Sequence, residues 1–196
     1  MLKNLLGIKQ KSEMDAAEYK ALRTVQLRYL HEGVVTQVTH FDAALVCQMH
    51  RDWLGGIYEW AGTYRTVELE KEGFRWPPAY LVSEHMARFD TDVISKHTPC
   101  RPGQLKDVCL SIAIVHAELL LIHPFREGNG RLARWLADLM AVQANLLPAA
   151  YEFSGKGSRS WRKRYLNAVV EGYGQCYSDL ADFFEDAILL SLREAL

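Results

Sequence analysis

Residues 110–122 read LSIAIVHAELLLI, a run that would be apolar on nearly every side of a helix. Such a helix needs other elements around it, because any face left open would expose apolar surface to water. The run is also well short of the roughly 20 residues that cross a membrane. We therefore predict a central buried helix over residues 104–122, in which His116 is a hydrogen-bonded core residue.

The neighbouring segments mostly show apolar residues at intervals of three and four, which is typical of amphipathic helices. The predicted helices cover residues 14–30, 41–54, 79–95, 131–146, 161–171 and 179–196. The run SGKGSRS, residues 154–160, is the most linker-like part of the chain. The predicted fold class is all-α, a helical bundle with one small β-hairpin.

The hairpin is predicted within residues 63–76, TYRTVELEKEGFRW. Apolar and charged residues alternate from Val67 to Glu70, and Glu72-Gly73 is a suitable turn between two short strands. Pro77 then ends the second strand, because proline has no N–H for the ladder.

Composition limits the possible functions. The chain has 196 residues, 24 acidic and 23 basic, and a formal charge of -1, so its overall charge favours neither nucleic acid nor an anionic membrane surface. The length suits a single domain over residues 1–196, with a core at about 41–181. The first residues lack the pattern of a secretory signal, so we expect a cytoplasmic protein or one delivered into another cell's cytoplasm.

The run HPFREGNGR, residues 123–131, carries the chemistry. A glycine-containing loop that leads directly into a helix presents free backbone N–H groups, and the helix dipole there favours an anion. Gly128 and Gly130 permit the backbone angles and the close approach that a phosphate needs. The sequence therefore predicts a phosphate site.

Four side chains of this region suit phosphate chemistry. Arg131 and Arg134 lie three residues apart on one helix face and both can reach anionic oxygens. Glu127 is a hard ligand suited to Mg²⁺, and His123 has an ordinary pKa that suits a general base near neutral pH. The alternative is an ordinary connection between helices, with a core histidine and solvated charges.

The run satisfies His-x-Phe-x-(Asp or Glu)-Gly-Asn-(Gly or Lys)-Arg, and in this it resembles the Fic family. The similarity extends to residues 57–76 and 115–125 and covers roughly residues 5–181. The resemblance implies a mostly helical fold in which the motif loop joins two central helices. It also implies a hairpin, the flap, that docks an extended target segment by strand pairing.

The resemblance further implies a role for each motif residue. His123 would be the general base, Glu127 the Mg²⁺ ligand, and Phe125 an anchor of the nucleotide-binding loop. The remaining nucleotide-binding residues would be Gly128, Asn129 and Gly130 as an anion hole, Arg131 near the leaving group and Arg134 at the terminal phosphate. The target-docking flap would comprise Leu69, Glu70, Lys71, Glu72, Gly73 and Phe74.

The reaction implied is transfer of AMP from ATP to a Tyr, Thr or Ser hydroxyl of a target protein. Kinase-like Doc relatives usually carry alanine at the position of Gly128 and lysine at that of Gly130, so AMP transfer is favoured here. The alternatives are removal of AMP, transfer of UMP or phosphate, and a non-catalytic nucleotide-binding module.

Many relatives are inhibited by a glutamate in (Ser or Thr)-x-x-x-Glu-(Gly or Asn), which pairs with the second motif arginine, here Arg134. Glu32 and Glu171 precede glycines but lack the Ser or Thr, and we interpret both as surface charges. The resemblance is thus to the toxin-like branch. It favours a separate antitoxin partner that supplies the glutamate to Arg134.

Overall fold

The helix predicted from the apolar run is the centre of the fold. The computed structural model describes residues 2–31, 33, 35–155 and 157–195. In chain order the elements are α1 (Lys11–His31), α2 (Ala43–Leu54), β1 (Glu70–Lys71), β2 (Phe74–Arg75), α3 (Val82–Arg88), α4 (Ser95–His97), α5 (Leu105–Ile122), α6 (Asn129–Gln143), α7 (Ser158–Gly172) and α8 (Ser178–Glu194). The mostly helical fold class is confirmed, whereas the division of 1–196 as a single domain stays a prediction.

Helices α6, α7 and α8 pack around α5 and bury most of its apolar side chains, whereas Leu110 stays 42% exposed. His116 is fully buried within α5, and both ring nitrogens are hydrogen-bonded, Nδ1 to the Ala133 carbonyl at 3.1 Å and Nε2 to the Tyr165 hydroxyl at 2.8 Å. The prediction of a satisfied core histidine is confirmed. Within the described ranges, no helix is long and apolar enough to cross a membrane.

Helices α6 and α7, like α1 at Lys11, begin two or three residues earlier than predicted. Helix α6 starts at Asn129, so Asn129 and Gly130 belong to its first turn and the break in the chain lies at Gly128. Helix α7 starts at Ser158, within the segment predicted to be a linker. In both cases a glycine with positive φ precedes the helix, Gly128 at 87° and Gly157 at 89°, and it sets the boundary that periodicity alone places too late.

The hairpin forms where it is predicted, but its strands are short. Strand β1 pairs antiparallel with β2, and Lys71 lies opposite Phe74. Glu72 and Gly73 form the turn with φ of 52° and 83°, the two positive angles that a tight hairpin turn requires. The strand residues are exposed on both faces, so packing does not extend the ladder further.

The helix predicted over residues 79–95 is interrupted. A 3₁₀ turn at Ala79–Leu81 precedes α3, and a π-helical stretch at Phe89–Ile94 joins α3 to α4. The stretch buries Phe89 and Ile94 against the core, which an unbroken α-helix would place differently around its axis.

Candidate active site

The motif loop begins where α5 ends. His123 takes the left-handed conformation, with φ 53° and ψ 59°, and its N–H caps the helix by donating to the Leu119 carbonyl at 3.0 Å. Pro124 follows, and the chain turns away from the helix axis. The histidine predicted to be the base therefore lies at the helix end, where its side chain projects beside the loop.

Gly128 closes the loop against α2. Its φ is 87°, and a Cβ at this position would lie 2.9 Å from the indole ring of Trp53. Both the backbone angle and the close approach require glycine. The Gly128 carbonyl accepts from the Leu132 N–H at 2.9 Å, but no side chain in the described part of the chain caps the first turn of α6. The N–H groups of Asn129 and Gly130 are therefore available to an anion.

Asn129 and Phe125 hold the loop together from within. The Asn129 side chain accepts from the Phe125 N–H at 2.9 Å and donates to the Phe125 carbonyl at 2.7 Å. The Phe125 ring is fully buried and stacks on His50, with centroids 3.9 Å apart. Neither side chain faces the loop mouth, so Asn129 has only its backbone N–H left for an anion and Phe125 acts through packing.

His50 supports the same loop, and sequence reasoning missed it. Its Nδ1 accepts from the Gly62 N–H at 2.8 Å, which leaves Nε2 to donate to the Glu127 carbonyl at 3.0 Å. Burial lowers the pKa of His50 to about 4, so the ring stays neutral near neutral pH. The two bonds fix its tautomer, and the histidine joins α2 to the motif loop.

His123 differs because only one of its ring nitrogens has a hydrogen-bond partner among the described residues. Nδ1 lies 3.1 Å from the Leu120 carbonyl, and a carbonyl only accepts, so Nδ1 carries the proton. Burial lowers the pKa of His123 to about 4, and the charges of Arg65 and Lys71 act in the same direction. The ring is therefore neutral at pH 7, with an unprotonated Nε2 that can accept a proton.

Arg131 is held by two carboxylates. Its Nη1 lies 2.6 Å from Oε2 of Glu18 on α1, and its Nη2 lies 2.9 Å from Oε1 of Glu127. The Glu18 side chain is only 5% exposed and also accepts from the Tyr58 hydroxyl at 2.5 Å. The guanidinium lies over the Trp53 ring, 4.7 Å from a centroid. Sequence reasoning missed Glu18, which lies more than a hundred positions from the motif.

Arg134 is surrounded mainly by aromatic rings, and its charge also acts on the buried carboxyl of Asp138, one turn further along α6. Its guanidinium carbon lies 5.7, 5.3 and 5.9 Å from the ring centroids of Tyr151, Phe153 and Tyr165. None of the ion pairs between described residues involves Arg134. Glu171 is exposed near the end of α7, and Glu32 lies outside the described residues. The cation therefore has no carboxylate partner within the part of the chain that the structure covers.

The metal-ligating side chain predicted in the motif is accessible. Glu127 is 48% exposed, and only one of its carboxylate oxygens is bonded to Arg131. The described residues contain no cluster of three His, Cys, Asp or Glu that could enclose a metal ion. Together, Arg131, Glu18 and Glu127 carry a formal charge of -1, which suits a hard cation that also has phosphate ligands.

The predicted flap residues lie together beside this loop. Glu70 and Lys71 form β1, Glu72 and Gly73 the turn, Phe74 lies in β2, and Leu69 precedes the ladder. The Phe74 ring contacts the Trp76 ring at 5.3 Å and the Tyr173 ring at 5.1 Å. Trp76 in turn lies on the imidazole of His123, with centroids 4.0 Å apart, so aromatic side chains connect the hairpin to the predicted base.

Comparisons with known proteins agree with this arrangement. The chain is 29% identical over 172 residues to "Protein adenylyltransferase VbhT" of Bartonella schoenbuchensis, and the match covers 87% of this chain and 33% of that protein. It is 27% identical to "Probable protein adenylyltransferase y4lH" of Sinorhizobium fredii, covering 92% and 88% of the two chains. The chain thus spans a third of the length of the first relative and most of the second.

Solved structures share the fold. The BepC effector protein of Bartonella tribocorum with bound AMPPNP matches with a TM-score of 0.75 and 21% identity, over 95% of this chain and 91% of that chain. An N-terminal Fic domain of Bartonella quintana with bound ADP matches with a TM-score of 0.75 and 19% identity, over 95% and 90%. The Fic/DOC family model matches residues 40–141, more than half of the chain. This protein therefore belongs to the Fic/DOC family.

Proposed function

We propose that this chain is a protein adenylyltransferase, which moves AMP from ATP to a hydroxyl of a target protein. The observation that carries the proposal is the state of His123. Its Nδ1 is bonded to the Leu120 carbonyl and its pKa is lowered, so a free, neutral Nε2 lies beside a loop that can bind phosphate. The relatives named protein adenylyltransferase support the same activity.

Nucleotide binding is assigned to the start of α6. The backbone N–H groups of Gly128, Asn129 and Gly130 form the anion hole, and Arg134 holds the terminal phosphate. Arg131 is assigned chiefly to holding Glu127, because two carboxylates already occupy its guanidinium. Its contact to phosphates near the leaving group stays a prediction from the resemblance.

Glu127 is the residue assigned to Mg²⁺. When bound, Mg²⁺ neutralises charge on the nucleotide phosphates as the leaving group departs. A single protein carboxylate with spare oxygen lone pairs fits this ion, which usually keeps water and phosphate among its ligands.

The chemical step uses His123 as the general base. The target hydroxyl oxygen attacks the α-phosphorus of ATP and its proton passes to Nε2 of His123. The new P–O bond forms while the bond from the α-phosphorus to the bridging oxygen breaks, and pyrophosphate leaves with the electron pair. The loop places these groups and stabilises the charge that develops, which accounts for most of what the reaction needs.

We assign docking of the target protein to the hairpin. The two strands pair with each other, so each keeps one outer edge, and an extended segment can add there as a further strand. The docking residues in this proposal are Leu69, Glu70, Lys71, Glu72, Gly73 and Phe74. Pairing through the backbone makes docking tolerant of the target's sequence. Which hydroxyl is modified then depends on the register of the added strand.

We assign inhibition of the transferase activity to Arg134. Its cation has no carboxylate partner among the described residues, so a glutamate supplied by a separate protein fits the site electrostatically. We therefore include in the proposal that the protein is the toxin of a toxin–antitoxin pair. Co-expression with an antitoxin and loss of labelling on its addition would support this part.

The test is transfer of label from ATP to proteins of a cell lysate in the presence of Mg²⁺. ATP labelled at the α-phosphate should label protein, ATP labelled at the γ-phosphate should not, and His123→Ala should abolish the signal. His40→Ala, at an exposed histidine in the segment before α2, is the matched control and should keep it.

Other outcomes would exclude the proposal. Label from the γ-phosphate alone would indicate phosphate transfer, and preference for labelled UTP would indicate UMP transfer. Loss of label from an already modified protein would indicate AMP removal. Binding of ATP without any transfer would leave a nucleotide-binding module.

A further inference from the structure

Arg65 is a buried cation that none of the motif assignments uses. It is 3% exposed and precedes the hairpin by five residues. Its Nε donates to the His123 carbonyl at 2.8 Å and its backbone N–H to the Pro124 carbonyl at 2.8 Å. Its Nη1 donates to the Val67 carbonyl at 3.0 Å and its Nη2 to the Pro77 carbonyl at 2.6 Å.

These bonds join three pieces of backbone through one side chain. Val67 and Pro77 lie on the two sides of the hairpin base, and His123 lies at the end of α5. Guanidinium is suited to this task because its donors are planar and fixed in direction. The cation also lies where the carbonyls at the helix end carry partial negative charge, and Nη2 reaches the Ile122 carbonyl at 3.4 Å.

Trp76 makes a second connection, on the other side of the hairpin. Its Nε1 donates to the Leu120 carbonyl at 3.0 Å, the same oxygen that accepts from Nδ1 of His123. Its ring covers one face of the imidazole at 4.0 Å. The indole therefore limits both rotation of the imidazole and the access of water to it.

The charged groups that act on His123 are Arg65, from the segment before the hairpin, and Lys71, from β1. Both disfavour a protonated imidazole, as does burial, and the bond to the Leu120 carbonyl acts in the opposite direction. His123 also has a positive φ, which is costly for a residue with a side chain. Contacts to the carbonyl and to the ring of His123 hold the residue in this conformation and oppose relaxation to a less costly backbone angle.

We propose that Arg65 and Trp76 are positioning residues that hold the imidazole of His123 and the base of the hairpin as one unit. A strand paired with the hairpin then presents its hydroxyl to Nε2 in a set register. The inference rests on the proposed function for its use in transfer, but the coupling itself is a property of the free protein. Target docking and proton removal are thereby linked through two side chains outside the motif.

The first test is the titration of His123 in the free protein, followed through its imidazole resonances by NMR. Wild-type protein should keep a neutral ring down to pH about 4. Trp76→Leu removes the ring cover and the Nε1 donor, and the midpoint should rise toward the ordinary value of about 6.5. Trp76→Phe keeps an aromatic cover and should show a smaller rise. Arg88→Gln, which removes an exposed cation on α3, is the control and should leave the midpoint unchanged.

The second test is transfer of label from ATP to lysate proteins, compared at pH 6 and pH 8. For Trp76→Leu the rate should fall up to about fourfold more at pH 6, where a midpoint near 6.5 would leave roughly a quarter of His123 neutral, than at pH 8. Arg65→Lys keeps the charge but not the fixed set of donors, so the rate should fall at both pH values. ATP affinity by calorimetry should stay within about twofold in both variants, since the side-chain hydrogen bonds of Arg65 and Trp76 go to other carbonyls and not to Gly128–Gly130, where the anion hole is assigned.

The outcomes separate the two proposals. An unchanged His123 midpoint and pH profile in folded Trp76→Leu would overturn the positioning role, even if wild-type protein transfers AMP. A shifted midpoint without transfer by the wild type would uphold the coupling and reject the proposed function. If Trp76→Leu does not fold, Trp76→Phe decides, and an unchanged midpoint there would overturn the inference.

Discussion

Arg131, which ends the motif, and Arg134 lie three residues apart on α6, in different electrostatic surroundings. Arg131 faces α1 and pairs with Glu18 and Glu127, whereas Arg134 faces the segment after α6 and has aromatic rings around it. The fold thus neutralises one cation, and we propose that the other is left for an incoming anion. Two arginines one turn apart are then assigned different roles because their neighbours differ.

Because of this difference, we expect loss of one arginine to affect protein stability and loss of the other to affect nucleotide binding. The network around Arg131 joins α1, α2 and the motif loop, so its loss should appear in stability. The aromatic surroundings of Arg134 favour a cation without neutralising it. Loss of Arg134 should therefore appear in nucleotide affinity.

Glu18→Ala should have the largest effect on stability. It leaves Arg131 with one carboxylate instead of two and removes the acceptor of the Tyr58 hydroxyl. Breaking a buried ion pair costs about 3 kcal/mol, and partial exposure of Arg131 places the expected loss of unfolding free energy at about 2–3 kcal/mol. Urea denaturation measures it.

The control is Asp15→Asn, which breaks the exposed pair with Lys11 on the same helix. It should cost under about 0.5 kcal/mol. A higher ATP affinity in Glu18→Ala would contradict the division, because Glu18 would then be withholding Arg131 from phosphate rather than anchoring the loop.

Arg134→Gln should weaken ATP binding by about tenfold or more, since a charge-assisted hydrogen bond is worth about 1.5–3 kcal/mol. Unfolding free energy should change much less, because no ion pair between described residues is lost. Titration calorimetry measures the affinity. Arg164→Gln, which breaks a pair with Asp186 between α7 and α8, is the matched control. Equal affinity in the two variants would reject the assignment of Arg134 to the terminal phosphate.

The protonation state of Asp138 bears on the surroundings of Arg134. If this carboxyl is protonated in the folded protein, it does not neutralise Arg134. Burial raises the pKa of Asp138 to about 7, while its bonds from the Tyr151 hydroxyl and the Ala149 N–H and the charge of Arg134 act to lower it. Between the ordinary pKa of an aspartate and about 7, the folded state binds a proton that the unfolded state does not. Stability should therefore fall as pH rises through this window and level off above it.

Asp138→Asn should remove that dependence, which is at most about 1.4 kcal/mol per pH unit for one proton. Denaturation at pH 5, 6 and 7 compares the two proteins. Parallel stability curves would mean that Asp138 is ionised in the folded state and already balances Arg134, and the contrast between the two arginines would be weaker.

Much of the fold could be predicted because its signals are local. The buried helix α5 and the Glu72-Gly73 turn both depend on residues within a few positions of each other. The sequence pattern predicts too late a start for α6, because the glycine in its first turn resembles a break in a pattern of apolar residues. It also does not predict the π-helical stretch at Phe89–Ile94, because packing against the core determines that stretch.

The candidate site likewise has features that the sequence predicts and features that it does not. The sequence by itself determined the family resemblance and the set of motif side chains, because HPFREGNGR is contiguous and each residue type has a specific chemistry. Only the tertiary structure decided which nitrogen of His123 is free and which motif arginine is neutralised. The first depends on the Leu120 carbonyl at the end of α5, and the second depends on Glu18, which lies far from the motif in sequence. Hydrogen bonds and charges act over a few ångströms, and a one-dimensional pattern does not state which distant residues come within that range.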